Sequence, residues 1–399
     1  MSLLATTFTG IDLVNPFLLS SGPPTSNRAM ISRAFEAGWG GAVIKSLSQV
    51  EEPPQSNVRP RIEAVKRNGK IIGFVDIELG TMRSLADWLH DIHVLKKDYP
   101  QRALVASMLY GGAPVEAQWR EAAQACAEAG ADALELNFSC PHGGSESGGV
   151  GSIAQSPEAI RRIIGWVREA TRLPIWVKMP AMPGLTEAVH VCLGAGADAI
   201  SLINSVHAIP GIDIDTFIPL PAVGDKGAVS GYCGRAIKPI SLHAVLKTAQ
   251  GAPGVPIAGI GGISDWHDAV EFFLAGAGLV QICSEVLLHG YEIIDGLRAG
   301  LEEYLQHKGF SSVGQLRGLA LPNFVAHNDL RRKPRVVAYN DALKCRRCGR
   351  CFTVCKDGGY QAINGAKGEA SRVDALLCDG CGLCVQVCPA GSLSLREAL

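Results

Sequence analysis

The chain has almost no net charge, no long apolar run and no leader pattern, and each of these absences narrows what it can be. Its 37 Lys and Arg balance 38 Asp and Glu for a formal charge of −1, and no basic run stands out. Nothing therefore points to nucleic acid or an anionic membrane surface as a partner. No stretch approaches 18 uninterrupted apolar residues, so no spanning helix is expected. The opening "MSLLATTFTGIDLVNPFLLSSG" has no charged segment ahead of its apolar residues, which argues against a signal peptide and makes the cytoplasm the default location. A strand followed by G-x-G-x-x-G, a helix and a downstream acidic residue is also missing, so no nicotinamide-binding Rossmann unit is expected. What is present is a 399-residue chain, 47% hydrophobic, able to bury one large core and carry a smaller module. Eight of its 13 cysteines crowd into residues 345–388, a distribution that in a reducing compartment points to metal.

From residue 16 to about 290, eight short apolar runs alternate with helix-patterned segments. They are 16–21, 41–46, 103–109, 131–137, 174–179, 197–204, 256–262 and 278–284. Segments between them, such as 114–128 and 157–170, are amphipathic, so the runs read as buried parallel strands with crossover helices. Eight such units suit an α/β fold, a closed (β/α)8 TIM barrel, with a doubly wound open sheet as the rival. The barrel is favoured because Ser20, Ser21, Lys45, Asn137, Lys178, Asn204 and Ser284 all stand at C-terminal strand ends, which a barrel gathers at one mouth. The repeated "AGADALEL", "AGADAISL" and "AGAGLVQI" read as helix ends with a left-handed glycine. The expected organisation is a barrel over 1–310, a connector over 311–340 and a cysteine-rich domain over 341–399.

That last domain repeats C-x2-C-x2-C-x3-C, at 345–355 and again at 378–388. The spacing predicts a bacterial-ferredoxin-like domain with two [4Fe–4S] clusters, in which the fourth thiolate crosses over. Cys345, Cys348 and Cys351 would pair with Cys388, and Cys378, Cys381 and Cys384 with Cys355. A zinc ribbon would not need four cysteines in each run. Paired clusters relay single electrons, so something in the barrel must exchange with them. The glycines of "AGIGGI" (258–263) and "GAVSG" (227–231) and the hydroxyl of "QICSE" (281–285) suit a phosphate site after the last strands. FMN fits better than a dinucleotide, since flavin exchanges single electrons with clusters and hydride with organic substrates. Lys45 and Lys178 could stabilise a reduced flavin, or could equally be structural partners of carboxylates. Cys126, Cys192, Cys233 and Cys283 read as small core residues.

"NPFLLSSGPPT", "AFEAGWGGAVIKS", "ELNFSCPHGG", "VSGYCGRAIKPIS", "IAGIGGI" and the cysteine tail together resemble the C-terminal half of dihydropyrimidine dehydrogenase, most of all its bacterial subunit form. The barrel resembles dihydroorotate dehydrogenase more distantly. The resemblance implies reduction of the C5=C6 bond of uracil or thymine. Electrons would come from a separate FAD-containing, NAD(P)H-oxidising subunit, or a ferredoxin, through the clusters to FMN. It implies Cys140 as general acid/base with Ser139 beside it and Lys178 against the flavin. Asn137, His142, Asn204, Ser205 and Asp76 would face the substrate, under a lid formed by the loop 143–152. Ser20, Ser21, Lys45, Ser46, Gly231, Gly261, Gly262, Cys283 and Ser284 would hold the cofactor, and the protein would form an oligomer. Two positions depart from the family pattern: Asp76 stands in place of an Asn, and Met182, in "KMPAM", replaces another. An ionised Asp only accepts hydrogen bonds where Asn both donates and accepts. The departures therefore favour, as the second reading, a different unsaturated N-heterocycle or conjugated ring bearing a donor. A non-catalytic electron-transfer subunit is the third, and Cys140, Asn137 and Lys178 together argue against it.

Overall fold

The computed structural model describes residues 2–48, 57–78, 80–110, 115–140 and 150–398. It falls into two units, Met1–Asn323 and Phe324–Leu399. In the first, eight parallel strands close into a barrel: β1 (Phe17–Leu19), β2 (Gly41–Val43), β3 (Ala103–Met108), β4 (Ala133–Asn137), β5 (Ile175–Met179), β6 (Ala199–Leu202), β7 (Ile257–Ile260) and β8 (Leu279–Ile282). All eight lie inside the apolar runs of the sequence. Every residue of these strands is buried, because one face meets the outer helices and the other fills the interior, which explains the continuous rather than alternating hydrophobicity. The crossover helix Pro157–Ala170 starts where its sequence says it should: Ser156 Oγ accepts from Ala159 N at 3.2 Å and Pro157 takes the first turn. Gly130 and Gly196, with φ of 100° and 106°, end the helices before β4 and β6.

The barrel interior is built in layers from alternate strands, as the pleat requires. Leu18, Val105, Trp176 and Ala258 come from odd-numbered strands and are fully buried. An N-terminal hairpin, Thr6–Phe8 and Ile11–Leu13, closes the bottom below them, with Phe8 edge-on to Trp176 at 5.0 Å. Truncating Trp176 to Ala would cost roughly 3–5 kcal/mol. The next layer up, from even strands, turns polar. Glu135 Oε2 accepts from Ser201 Oγ at 2.8 Å and from Gln281 Nε2 at 3.0 Å, all three fully buried. Above it, Ser107 and Lys178 open the mouth.

A four-stranded antiparallel sheet, in the order Val206–Ala208, Ser230–Cys233, Lys70–Asp76, Ile62–Arg67, is absent from the sequence reading. Its hairpin turns at Asn68–Gly69, both residues at positive φ (50° and 74°), the two-residue turn that matches strand twist. This sheet brings Asp76 to the mouth. The expected connector 311–340 also divides. Val313 and Leu316 bury against the barrel with helix Ile293–Lys308, whereas Val336–Asn340 pairs with Leu393–Glu397 inside the second unit. That unit has its own small core around Val337, Ala362, Ile363 and Leu393. Among the described residues no helix is long and apolar enough to cross a membrane.

Candidate active site

The C-terminal ends of the barrel strands surround a cleft lined by polar side chains and glycine backbone, the place where barrels of this kind bind small molecules. Of the residues singled out from sequence, it brings together Ser20, Ser21, Lys45, Ser46, Asp76, Asn137, Cys140, Lys178, Asn204, Ser205, Gly261, Gly262, Cys283 and Ser284. Ser139 and Gly231 do not line it. Ser139 is buried and acts on the amides, while Gly231 is an interior residue of Ser230–Cys233, paired with Asp76 on one side and His207 on the other. Gly234, three residues on at φ 98°, reaches the cleft instead. His142 and most of the expected lid, 143–149, lie outside the described residues.

Around Asn137 and Asn204 the polar groups orient one another. Asn137 Oδ1 accepts from Ser139 Oγ at 3.0 Å and from Asn204 Nδ2 at 3.2 Å. Asn204 Nδ2 also donates to Ser139 Oγ at 3.1 Å, and Asn204 Oδ1 accepts from Ser205 N at 2.8 Å. This mesh fixes which way both amides face. Cys140 follows directly and is 8% exposed.

The two lysines differ. Lys45 Nζ sits 2.7 Å from Glu78 Oε2, and Glu78 Oε1 takes Arg61 Nε at 3.0 Å. Lys178, 3% exposed, donates to Ser20 Oγ at 3.3 Å and has no ion-pair partner among the described residues. A buried cation without a carboxylate needs an anionic or strongly polar guest. A hydroxyl chain runs alongside, from Ser21 to Ser46 at 3.2 Å and on to Ser107 at 2.8 Å. At the far end Gly261 and Gly262 turn at φ 114° and 79°, and a Cβ on Gly262 would lie 2.6 Å from the backbone of Lys238. Ser284 and Glu285 begin the next helix there, so their N–H groups have no intrahelical acceptor. These residues fit FMN: Lys178 and the hydroxyls would suit its polar ring system, and the open backbone of Gly261 and Gly262 with the N–H groups of Ser284 and Glu285 would suit its phosphate.

Several functional positions escaped the sequence reading. Arg61 and Glu78 flank the hairpin, just before Ile62–Arg67 and just after Lys70–Asp76, and its sequence signal is the Asn-Gly pair at 68–69. Arg235 and Glu285 line the cleft as a pair, Nε to Oε2 at 3.2 Å, and the carboxylate holds the guanidinium pKa above its ordinary value. Cys233, expected in the core, lines the cleft, and so does Cys283, which the sequence placed both among core residues and at the cofactor, while Cys126 and Cys192 are fully buried. Burial pushes the Cys233 and Cys283 thiols up to about 12, with Asp76 adding to the shift in both and Lys178 opposing it at Cys283. Met182 packs against the outer core and is not among the lining residues; Asp76 is.

In the second unit the eight cysteines gather around two hollows. One, of about 340 Å3, is lined by Cys345, Cys348, Cys351 and Cys388, and the other, of about 380 Å3, by Cys355, Cys378, Cys381 and Cys384. These are the two crossed sets that the spacing predicts. Each set brings four thiols to one hollow, the number of ligands that a cubane takes. The Cys388 thiol is down at about 7: burial works against this, but hydrogen bonds from Ser392 and neighbouring backbone outweigh it. Cys384 is pushed up to about 11 by burial and by Cys381, Cys378 and Cys355 close by. Thiols that crowd and repel in this way are relieved by binding a cationic iron centre.

Comparison with known proteins agrees with this geometry. Residues 3–305 match the dihydroorotate dehydrogenase family, and residues 338–395 match a 4Fe–4S dicluster domain. The chain is 38% identical over 366 residues to the NAD-dependent dihydropyrimidine dehydrogenase subunit PreA of Escherichia coli K12, covering 90% of this chain and 87% of the relative. It is 34% identical over 356 residues to the chloroplastic NADP(+) dihydropyrimidine dehydrogenase of Arabidopsis thaliana, covering 86% and 82%. To the catalytic subunit of dihydroorotate dehydrogenase B (NAD(+)) of Thermococcus kodakarensis it is 35% identical over 327 residues, covering 80% and 98%. With its FMN-binding barrel and its dicluster domain, the chain belongs to the dihydroorotate dehydrogenase family, among its dihydropyrimidine dehydrogenase-like oxidoreductases acting on CH–CH groups.

Proposed function

We propose that the chain reduces the C5=C6 double bond of uracil or thymine, with Cys140 as the general acid. The observation that carries this reading is the position of Cys140: 8% exposed at the end of β4, on the same cleft as Lys178 and the Asn137–Asn204 pair. Bound FMN supplies hydride exchange with the substrate and single-electron exchange with the clusters. The protein's part is to place and protonate. The amides of Asn137 and Asn204, oriented by Ser139 and Ser205, offer donors and acceptors to the ring edge. Lys178 stabilises negative charge near the ring system from a buried site, where charge interacts more strongly than in water. Cys140 Sγ gives its proton to one ring carbon as hydride reaches the neighbouring carbon, and recovers it from solvent after product leaves. The eight cluster cysteines hold the path by which electrons arrive, from a separate NAD(P)H-oxidising flavoprotein subunit. Two of the relatives are described as subunits and as NAD-dependent, which supports a partner.

Asp76 favours a second reading. It lines the cleft as a carboxylate close to Glu78, whose N–H it accepts at 3.4 Å, and so suits a ring that presents an N–H donor at that edge. A panel of pyrimidines and related heterocycles offered to dithionite-reduced enzyme separates the two. Flavin reoxidation by uracil or thymine supports the first reading; failure of both, with success of an amino-substituted or donor-bearing ring, replaces it with the second.

A further inference from the structure

The two cysteine repeats hold equivalent scaffolds with opposite rims. In the first, the residues between the cysteines are Arg346, Arg347, Gly349 and Arg350; in the second they are Asp379, Gly380, Gly382 and Leu383. The repeats share their backbone plan. Asp341 Oδ1 accepts from Leu343 N at 3.1 Å ahead of Cys345, and Asp374 Oδ1 from Leu376 N at 2.8 Å ahead of Cys378. Gly349 and Gly382 then take the same left-handed turn, at φ 74° and 81°.

Within this symmetry one position is anomalous. Gly380 has φ 77°, and its counterpart Arg347 has φ 53°, a conformation that favours glycine and that side chains enter at a cost. Gly380 is obliged to be glycine, since a Cβ there would meet Val336 O at 2.3 Å; the same turn in the first repeat is exposed and holds a cation. Arg346 and Arg350 are exposed as well, and none of the three guanidinium groups has an ion-pair partner among the described residues. Glu369, the carboxylate on the same hollow, is not paired with them either. Cys348 is exposed between them, so a cluster held by this set would lie close to the rim. The second rim differs: Tyr360 and Leu383 lie on its hollow, 53% and 42% exposed, with Asp379 beside them.

We propose that the rim formed by Arg346, Arg347 and Arg350 is the docking surface for the electron donor, and that the donor is a protein presenting a carboxylate-rich face around its redox centre. The proposal rests on the reading that electrons enter through the clusters. One electron leaves the reduced centre of the donor, which is oxidised, and reduces the cluster held by Cys345, Cys348, Cys351 and Cys388; no bond forms or breaks and no proton moves. Three solvated arginines, unpaired among the described residues, beside an exposed cysteine suit a polar, electrostatically steered contact more than an apolar interface.

The test uses the full holoprotein, anaerobically, with a strongly acidic plant-type [2Fe–2S] ferredoxin as the probe and basic cytochrome c as its opposite. Calorimetric titration reads binding of the oxidised probes, and stopped-flow bleaching reads cluster reduction by reduced ferredoxin or by dithionite. The variant R346D/R347G/R350L gives the first rim the residues that already stand beside a cluster in the second, and D379R is the control at the other rim. Iron content confirms that each variant keeps both clusters. Ferredoxin should bind the wild type, weaken at least about tenfold as ionic strength shrinks the screening length, and weaken at least about tenfold in the triple variant. Reduction by ferredoxin should slow in parallel, with dithionite rates unchanged, D379R neutral and cytochrome c unbound. Equal binding by wild type and triple variant, or no binding at low salt, would overturn the proposal. So would equal slowing with dithionite, which would mean that the arginines act on the cluster itself. Substrate turnover is not read, so a wrong substrate assignment would leave this result standing.

Discussion

Lys45 Nζ and Glu78 Oε2 stand 2.7 Å apart at the barrel mouth, so one of the two strand-end lysines is already matched by a carboxylate. Lys178 has no such match among the described residues, and the proposed function gives this cation to the cofactor ring. Lys178→Ala should lower turnover by about 10^2 or more, whereas Lys45→Met should cost less, because Glu78 keeps Arg61 as its partner. Turnover alongside FMN affinity by fluorescence quenching checks this; equal losses would remove the distinction between the lysines.

Asp76 can be returned to the family's amide. If uracil is the substrate, Asp76→Asn restores a donor on the cleft, and kcat/KM for uracil should rise about tenfold. A fall, with a gain for no pyrimidine, would show that the carboxylate serves the true substrate. Steady-state kinetics with both variants and the heterocycle panel decides it.

The buried thiols make the fold sensitive to alkali. Burial raises Cys126, Cys192, Cys233 and Cys283 from an ordinary 9.0 to about 12. Between these values the unfolded chain has released protons that the folded chain retains, so stability is intact below pH 9 and falls as pH rises toward 12. The thermal midpoint should drop across that window, and less steeply in Cys126→Ala/Cys192→Ala. An unchanged slope in that variant would assign the alkaline loss to other groups.

The crossed cysteine sets make a sharp prediction about iron. Cys388→Ala opens the hollow of Cys345, Cys348 and Cys351 and leaves that of Cys355, Cys378, Cys381 and Cys384 intact. Iron content should fall by about half, with one reduced-cluster signal remaining in electron paramagnetic resonance. Cys355→Ala should remove the other. If Cys388→Ala and Cys351→Ala removed different clusters, the crossing would be wrong.

Local patterns made most of the fold legible. The eight strands follow from runs such as "PIWVKM", buried on both faces, and helix ends from glycines such as Gly130 and Gly196, which only a left-handed turn explains. Cysteine spacing made three ligands of each set legible, since they lie close in sequence, and the fourth, Cys388 or Cys355, follows from the crossover of the repeated motif. Contacts between distant segments were not legible. Lys45 and Glu78 are 33 residues apart, and nothing in either segment marks the pair. Their meeting depends on the hairpin turned by Asn68–Gly69, whose strand Ile62–Arg67 is half-exposed and lacks the apolar signal of the barrel strands. Within the glycine-rich stretch 227–234 the pattern does not tell which glycine faces the cleft: Gly231 pairs with Asp76 and His207, and Gly234 is the one that lines it.

The central claim is that Cys140 delivers the proton. Photoreduced Cys140→Ala, mixed anaerobically with uracil, should keep its flavin and both clusters yet lose flavin reoxidation by about 10^2 to 10^4. Cys140→Ser should retain a small residual rate with an altered pH profile. Reoxidation of Cys140→Ala at the wild-type rate would contradict the account.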